Sequence, residues 1–267
     1  MDFTPERLAE DALLLRFGEG IDPATNARVH AAVRALRDAD LPGVIDIAPA
    51  YASLLLRFDP FATEPGGSPE SLHADLANRV RSILADAAAT TLDPGLRRDD
   101  GRERTTVGTK AASHASDAQT CSRVADGEPW IVEVPVCYDG PDLDAVAAYA
   151  GLSRAEVIAR HTAAAYTVAM LGFAPGFPYL LGLDPALHMP RREYPRTRVP
   201  AGSVAIGGAQ TGIYPRELPG GWNLVGRTPL VLFDPLREPP CLLAPGDRVR
   251  FRAIGTDEFA HLAEHAA

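Results

Sequence analysis

The chain has 267 residues, of which 46% are hydrophobic, and it carries a formal net charge of −9. This length favours two modest domains, each long enough to bury a core of its own. The acidic balance argues against a general binder of nucleic acid or of anionic membranes, because both partners require a basic surface.

Cysteine and lysine usage excludes several classes of site. The cysteines Cys121, Cys137 and Cys241 are odd in number and lack CxxC spacing, so neither a disulfide framework nor a zinc site is indicated. No paired histidine or carboxylate spacing predicts a metal site, and we expect no metal. The chain has one lysine, Lys110. Its position outside any motif excludes a P-loop, a Schiff-base enzyme and a biotinylated carrier, since each requires a placed lysine.

Targeting signals are also missing from the sequence. The first residues, MDFTPERLAE, lack the basic and then apolar segments of an export signal. The longest apolar run, residues 163–173, is too short to span a bilayer. We therefore expect a cytoplasmic protein with no membrane partner.

Apolar runs and turn residues in the first half predict the order strand, helix, strand, strand, helix, strand. Asp22-Pro23 supplies an N-cap and a first-turn proline for the first helix, and apolar residues recur at helical spacing in both helices. The predicted strands are residues 11–17, 44–48, 51–58 and 130–137, and the predicted helices are residues 24–39 and 68–89.

This order is that of a ferredoxin-like layer, in which two helices cover an antiparallel sheet. We therefore predict an α+β protein whose first domain, residues 1–137, is a small ferredoxin-like α/β unit. Residues 90–127 carry few large apolar side chains and are interpreted as a flexible insert within it. No cluster of chemically active side chains occurs in this half, so the first domain is interpreted as a scaffold or docking unit.

The second half predicts a different architecture over residues 138–267. Two short helices, residues 141–150 and 153–161, come first, and Ser153 with Glu156 forms a capping box for the second. Residues 163–173 read as a buried strand, or alternatively as a helix end. The remaining predicted strands are residues 203–206, 212–214, 222–225, 230–233, 241–243 and 248–251. Many short strands separated by turns predict an all-β barrel or sandwich.

The segment PRREYPRTRVP places Arg191, Arg192, Arg196 and Arg198 between prolines. Guanidinium groups bind carboxylates and phosphates with two parallel hydrogen bonds, and a proline-stiffened backbone would hold them at little entropic cost. One or two of the four are expected to face a site, while the others are ordinary surface charges. We take Arg191, Arg196 and Arg198 as the candidate anion-binding residues.

The following segments, AGSVAIGGAQTGIYP and PGGWN, add polar groups and glycines. Glycine-rich turns can present backbone N–H groups to an anion, although tight barrel turns beside an anchoring aromatic residue would explain any one of these glycines. Ser203 lacks the GxSxG context of a serine hydrolase. The candidate binding residues are therefore Ser203, Gly207, Gly208, Thr211, Gly220, Gly221 and Trp222, and Gln210 and Tyr214 are candidates for orienting a substrate.

His161 lies at the end of a predicted helix, just before an apolar run. It has two interpretations. A histidine in this place can act as a general base or a phosphate ligand, and it can equally be a satisfied helix-terminal residue without a chemical role.

Several segments together closely resemble one protein family. They are GFAPGFPYL, PRREYPRTRVPAGSVAIGGAQTGIYP, PGGWNLVGRTPL, LFDP and LLAPGDRVRF. These segments resemble the family of the 5-oxoprolinase B subunit, also called allophanate hydrolase subunit 1, which includes the KipI-type kinase inhibitors. The resemblance extends to EVPVCYDGPDLDAVAAYAGLS and, more loosely, to ALLLRFG and PAYASLLLRFDP, and it covers nearly the whole chain except residues 90–127.

The resemblance implies a cyclophilin-like β-barrel as the second domain, and it implies one component of a heteromeric enzyme. Together with an A subunit and a larger C subunit, such a 5-oxoprolinase opens 5-oxo-L-proline to L-glutamate and hydrolyses ATP. ATP would bind as a co-substrate at a site that partner subunits share or carry. Arg196 and Arg198 would then hold the carboxylate or phosphates, Gln210 and Tyr214 would orient the ring amide, and His161 would carry a proton.

Two alternatives from other functional classes share the same motifs. One is a KipI-like inhibitor whose barrel binds a sensor histidine kinase. The other is half of a carboxyltransferase, related to urea carboxylase, acting on a urea-like amide and carboxybiotin. Neighbouring genes would separate them, because genes for the A and C subunits favour oxoprolinase and a biotin carboxylase gene favours the carboxyltransferase.

Overall fold

The computed structural model describes residues 1–61, 69–92 and 131–265. Its first part contains β1 (Thr4–Ala9), β2 (Ala12–Arg16), α1 (Pro23–Asp38), β3 (Val44–Pro49), β4 (Ser53–Phe58) and α2 (Pro69–Leu92). The second part contains β5 (Ile131–Cys137), α3 (Leu143–Ala150), α4 (Arg154–Ala163), β6 (Tyr166–Leu171), β7 (Pro178–Leu181), β8 (Arg196–Val199), β9 (Ser203–Gly207), β10 (Gln210–Ile213), β11 (Leu218–Gly220), β12 (Asn223–Arg227), β13 (Arg248–Ile254) and α5 (Thr256–His265). The insert predicted over residues 90–127 lies, beyond Leu92, outside the described residues.

The first sheet is antiparallel, with the strand order β1-β2-β4-β3. Every second residue of the central strands, including Leu13, Leu15, Leu54 and Leu56, is buried in one core with α1 and α2, as alternation along a strand requires. The start of α1 is as predicted, since the side chain of Asp22 accepts a hydrogen bond of 2.7 Å from the Thr25 backbone N–H.

The predicted assignment of residues 130–137 to this first sheet is wrong. Strand β5 lies in the barrel, where it pairs in parallel with β13 and antiparallel with β12. The N-terminal strand β1, which the sequence did not predict because its residues are mostly polar and exposed, fills the edge beside β2. The ferredoxin-like strand order is therefore not confirmed. Because the sheets change between Leu92 and Ile131, a boundary after Leu92 fits this topology better than the predicted one after residue 137.

The second domain contains a closed barrel with the strand order β10-β7-β6-β13-β5-β12-β9. This confirms the predicted α+β class and the predicted β-barrel in the second unit, while the cyclophilin-like assignment stays a prediction. Residues 230–233 and 241–243 were wrongly predicted as strands, and an isolated bridge between Phe233 and Cys241 joins them instead. Prolines around them remove the backbone donors that a continuous ladder needs.

The strand-like prediction for residues 163–173 is correct in its centre, since α4 ends at Ala163 and β6 follows. Cys137 and Cys241 are free thiols, and Cys121 lies outside the described residues. Over the described ranges, no helix combines the length and the apolar character that crossing a membrane requires.

Candidate active site

A small cavity of about 200 Å³ lies on the outer face of the barrel. Five aromatic side chains line it, together with two arginines and the Pro219-Gly220-Gly221 turn; the aromatic residues are Phe173, Phe177, Tyr179, Tyr214 and Trp222. Pockets that hold drug-sized ligands measure roughly 300–1,000 Å³. This cavity is therefore sized for one small ring.

Strand alternation explains why these groups meet. Gln210 and Gly212 on β10 and Tyr214 directly after it share one face, because successive side chains point to opposite sides of a sheet. Gly212 pairs with Tyr179 on β7, which places the tyrosine ring on this same face. Tyr214 packs with Trp222 in a core cluster separate from the barrel interior.

The aromatic rings pack edge to face above glycines. The ring of Phe177 lies 5.7 Å from that of Trp222 at 85° and 5.1 Å from that of Tyr214 at 88°, the arrangement that aromatic quadrupoles favour. A Cβ at Gly207 would lie 2.6 Å from the Trp222 ring, and one at Gly212 would meet both Trp222 and Phe177. These two glycines therefore serve close packing of the rings against the sheet.

Phe173 stands at the cavity in a strained backbone conformation. Its φ is +68°, and the N–H of Ala174 donates to the carbonyl of Gly172 at 2.7 Å, so that Phe173 forms the centre of a γ-turn. Its side chain is 60% exposed. Left-handed backbone costs a residue with a side chain roughly 1–2 kcal/mol, and such strain concentrates at ligand sites.

A buried carboxylate holds the arginine segment in place. Asp142 accepts two hydrogen bonds from Arg196, one from Arg192 and one from the backbone N–H of Leu224, all between 2.7 and 2.8 Å. Burial raises the pKa of Asp142, but the Arg196 guanidinium and the Leu224 N–H outweigh it and lower the pKa below its usual range. Sequence analysis missed Asp142, and the ion pairs give Arg192 and Arg196 a structural role.

The other two arginines differ in their surroundings. Arg191 lies over the Trp222 ring at 5.7 Å and forms no ion pair with any described carboxylate. Arg198 is 80% exposed and stands 3.7 Å from Glu217. Arg191 is thus the arginine at the cavity whose charge is available to a ligand, since Arg192 is already paired with Asp142.

Comparisons with known proteins agree with this architecture. The family model described as the carboxyltransferase domain, subdomain C and D, matches residues 3–243. The chain belongs to this family.

Curated relatives of this carboxyltransferase-family chain include 5-oxoprolinase B subunits and, over shorter stretches, urea amidolyases. Over 257 residues it is 38% identical to the 5-oxoprolinase B subunit of Bacillus subtilis, and the match covers 95% of this chain and 94% of the relative. It is also 55% identical over 133 residues to the 5-oxoprolinase B subunit of Escherichia coli O157:H7, covering 49% of this chain and 61% of that protein.

Two solved structures have the same fold. The TTHA0988 structure is 39% identical with a TM-score of 0.66, and the match covers 91% of this chain but 40% of that longer chain. The Kluyveromyces lactis urea carboxylase matches 99% of this chain and 23% of its own, with a TM-score of 0.62 at 20% identity, which shows the fold alone.

Within this carboxyltransferase-family fold, His161 lies away from the cavity. It is fully buried, and burial lowers its pKa to about 3. Its Nδ1 lies 2.7 Å from the Tyr138 hydroxyl and its Nε2 lies 3.0 Å from Thr211 Oγ1, which itself donates to the Ala205 carbonyl. Thr211 Oγ1 thus accepts the Nε2 proton, and Tyr138 donates to Nδ1. This neutral, satisfied histidine fits the structural interpretation better than the catalytic one.

Most of the remaining predicted residues lie at one of two cavities. Tyr214, Gly220, Gly221 and Trp222 line the aromatic cavity with Arg191, and Gln210 shares their face of the sheet. Arg196, Arg198 and Ser203 line a second cavity of about 430 Å³. Gly208, with φ of +66°, forms the turn between β9 and β10. The predicted chemical roles of all these residues stay predictions.

Residues that sequence analysis missed complete the cavity. Phe173, Phe177 and Tyr179 lie in GFAPGFPYL, a segment that had contributed only to the family resemblance. Its Gly-Phe and Pro-Gly-Phe pattern was the available signal, because glycine and proline mark a loop and binding residues lie disproportionately on loops. Within the described residues, no group of three His, Cys, Asp or Glu side chains is placed to hold a metal ion.

Proposed function

We propose that this chain is the B subunit of a cytoplasmic, ATP-dependent 5-oxoprolinase, which opens 5-oxo-L-proline to L-glutamate together with its partner A and C subunits. The 5-oxoprolinase B subunits among its relatives support this proposal, because the Bacillus subtilis protein is similar over almost its whole length. The chain spans only part of the TTHA0988 structure, as expected if the complete machinery needs further domains.

The aromatic cavity is the proposed site of the oxoproline ring. Its size suits one five-membered lactam, and its edge-to-face rings offer flat apolar walls. Arg191, which has no carboxylate partner among the described residues, carries the charge that would bind the substrate carboxylate. This unpaired guanidinium beside a small aromatic cavity is the observation that carries the assignment.

The proposed chemistry divides between this chain and its partners. A lactam amide is a poor electrophile, so ATP would phosphorylate its oxygen and create a leaving group. The chain's own contribution is then to hold the ring and to pair its carboxylate, which places the reacting bond in a fixed geometry for attack by water. With one lysine, which lies outside the described residues, the chain offers no P-loop, and ATP is assigned to a site that partners share or carry.

A carboxyltransferase role is the second candidate, favoured by the description of the matching family model. It would use the same cavity for a urea-like amide. A urea-like amide has no carboxylate of its own, so in this role Arg191 would pair with the carboxylate of carboxybiotin and not with the amide substrate.

A reconstituted complex tests the proposal. The chain is combined with the subunits encoded beside its gene, 5-oxoproline and ATP, and glutamate release is followed with and without it. Arg191→Ala is expected to raise the KM for 5-oxoproline about 10- to 100-fold, the range for one charge-assisted hydrogen bond. Arg250→Ala, which removes an exposed arginine elsewhere on the barrel, is the matched control. An assembled complex that makes no glutamate, or an Arg191→Ala complex with unchanged KM, would contradict the assignment.

A further inference from the structure

The first domain places a tyrosine hydroxyl beside the candidate site. Tyr51 lies in the turn between β3 and β4, and its ring meets that of Tyr179 edge to face at 6.0 Å. Gln210 and Arg191 lie close to its hydroxyl. Burial raises the pKa of Tyr51, so the hydroxyl keeps its proton and remains a donor.

This hydroxyl is buried and meets no partner at hydrogen-bonding distance among the described residues. Buried polar groups in folded proteins are nearly always hydrogen-bonded, because an unpaired one has lost its bonds to water without replacement. A phenylalanine would fill the same space without that cost. The hydroxyl therefore points to a role beyond the packing of the described residues.

The position of Tyr51 is fixed by the contact between the two domains. The side chain of Asn26, on α1, is 2% exposed and donates to the carbonyls of Ala50 and Tyr51, both at 3.2 Å. The same amide nitrogen lies 3.4 Å from the carbonyl of Ala169 on β6. One buried amide thus ties the Tyr51 turn to the barrel, so the hydroxyl is held at the site by the first domain.

Gln210 is the group through which Tyr51 can act. It is 5% exposed and lies on the same face of the sheet as Tyr214, which directly follows β10. A carboxamide has one acceptor oxygen and two N–H donors. If a hydroxyl occupies its oxygen, the amide is oriented and its N–H groups are left for another acceptor.

We propose that Tyr51 is a positioning residue of this site: its hydroxyl donates to the carboxamide oxygen of Gln210 when a ring occupies the cavity, and this directs the Gln210 N–H groups at the carbonyl oxygen of the ring. The inference rests on the proposed function, since the ring is that of 5-oxoproline. It changes the role of the first domain from a scaffold to a contributor to the site.

Tyr51→Phe in the reconstituted complex tests this inference. The KM for 5-oxoproline is expected to rise about tenfold, which corresponds to one hydrogen bond. The thermal unfolding midpoint is not expected to fall, because the deleted hydroxyl has no partner. The matched control is Tyr166→Phe, whose buried hydroxyl donates to the His161 carbonyl at 2.8 Å. That variant should unfold at a lower temperature and keep the wild-type KM.

A double substitution tests whether the effect passes through Gln210. Tyr51→Phe should raise KM no further in a Gln210→Ala background, because groups that act as one unit are not additive. Effects that multiply independently, or a Tyr51→Phe complex with wild-type KM, would overturn the inference and leave the proposed function standing. A wild-type complex that assembles and releases no glutamate would overturn both.

Discussion

Asp142→Asn is expected to lower both stability and substrate affinity. The substitution keeps the shape of the side chain and one acceptor for the Leu224 N–H, but it removes the charge that pairs with Arg192 and Arg196. Breaking a fully buried ion pair costs about 3–5 kcal/mol. The Asp142 side chain is 6% exposed, but the arginines are 37% and 24% exposed and can recover some hydration. We therefore expect a loss of about 2–3 kcal/mol.

Thermal and urea unfolding of the isolated chain measure this loss. In a domain of this size each kcal/mol shifts the midpoint by about 2–4 °C, so the variant should melt about 5–10 °C lower. Asp139→Asn is the control, because Asp139 pairs with Arg227 where both side chains are well exposed, at 38% and 48%. Exposed pairs contribute at most about 1 kcal/mol. Equal losses in the two variants would refute the assignment of Asp142 as the residue that secures the arginine segment.

Three other perturbations have defined outcomes. Burial lowers the pKa of His161 from 6.5 to about 3, so between these values the unfolded chain binds a proton that the folded chain does not. The free energy of unfolding should therefore fall as the pH drops from 6.5 to about 3. Urea unfolding at several pH values should show that this free energy depends less on pH in His161→Gln. Gly207→Ala should displace Trp222, shift its fluorescence and cost about 1–3 kcal/mol, whereas Gly255→Ala, whose Cβ would meet nothing within 4 Å, should do neither. Phe173→Gly relieves the positive φ, so the thermal unfolding midpoint measured by calorimetry should not fall, while 5-oxoproline should bind more weakly. A lower unfolding midpoint would contradict the claim that the Phe173 backbone is strained.

Local patterns in the sequence predicted the helices and strands better than they predicted which strands pair with one another. The N-cap at Asp22, the helices and most strands follow from capping chemistry and hydrophobic period. Strand β5 was placed in the wrong sheet, because an alternating apolar run contains no information about which neighbour it pairs with. Strand β1 was not recognised as a strand at all, because an exposed edge strand needs few apolar residues and so lacks the apolar alternation that marks a strand.

The candidate site shows the same limit. Gln210, Thr211 and Tyr214 were grouped by proximity in sequence, although the period-two rule would have separated Thr211, which points to His161, from the other two. By contrast, Asp142 lies 50 and 54 residues from its arginine partners and reads locally as an ordinary helix cap. The residues around Asp142 in the sequence do not distinguish a carboxylate that caps a helix from one that pairs with distant arginines.

The closure of the barrel by β13 has a consequence for biosynthesis. This strand, Arg248–Ile254, lies between β5 and β6 and joins them, so a nascent chain can complete its first sheet on the ribosome long before the barrel can close. Until the last strand emerges, two sheet edges remain open, and such edges invite pairing with other chains. A stop codon or a stall shortly before residue 248 should therefore yield insoluble protein, although every strand that precedes it has already been made.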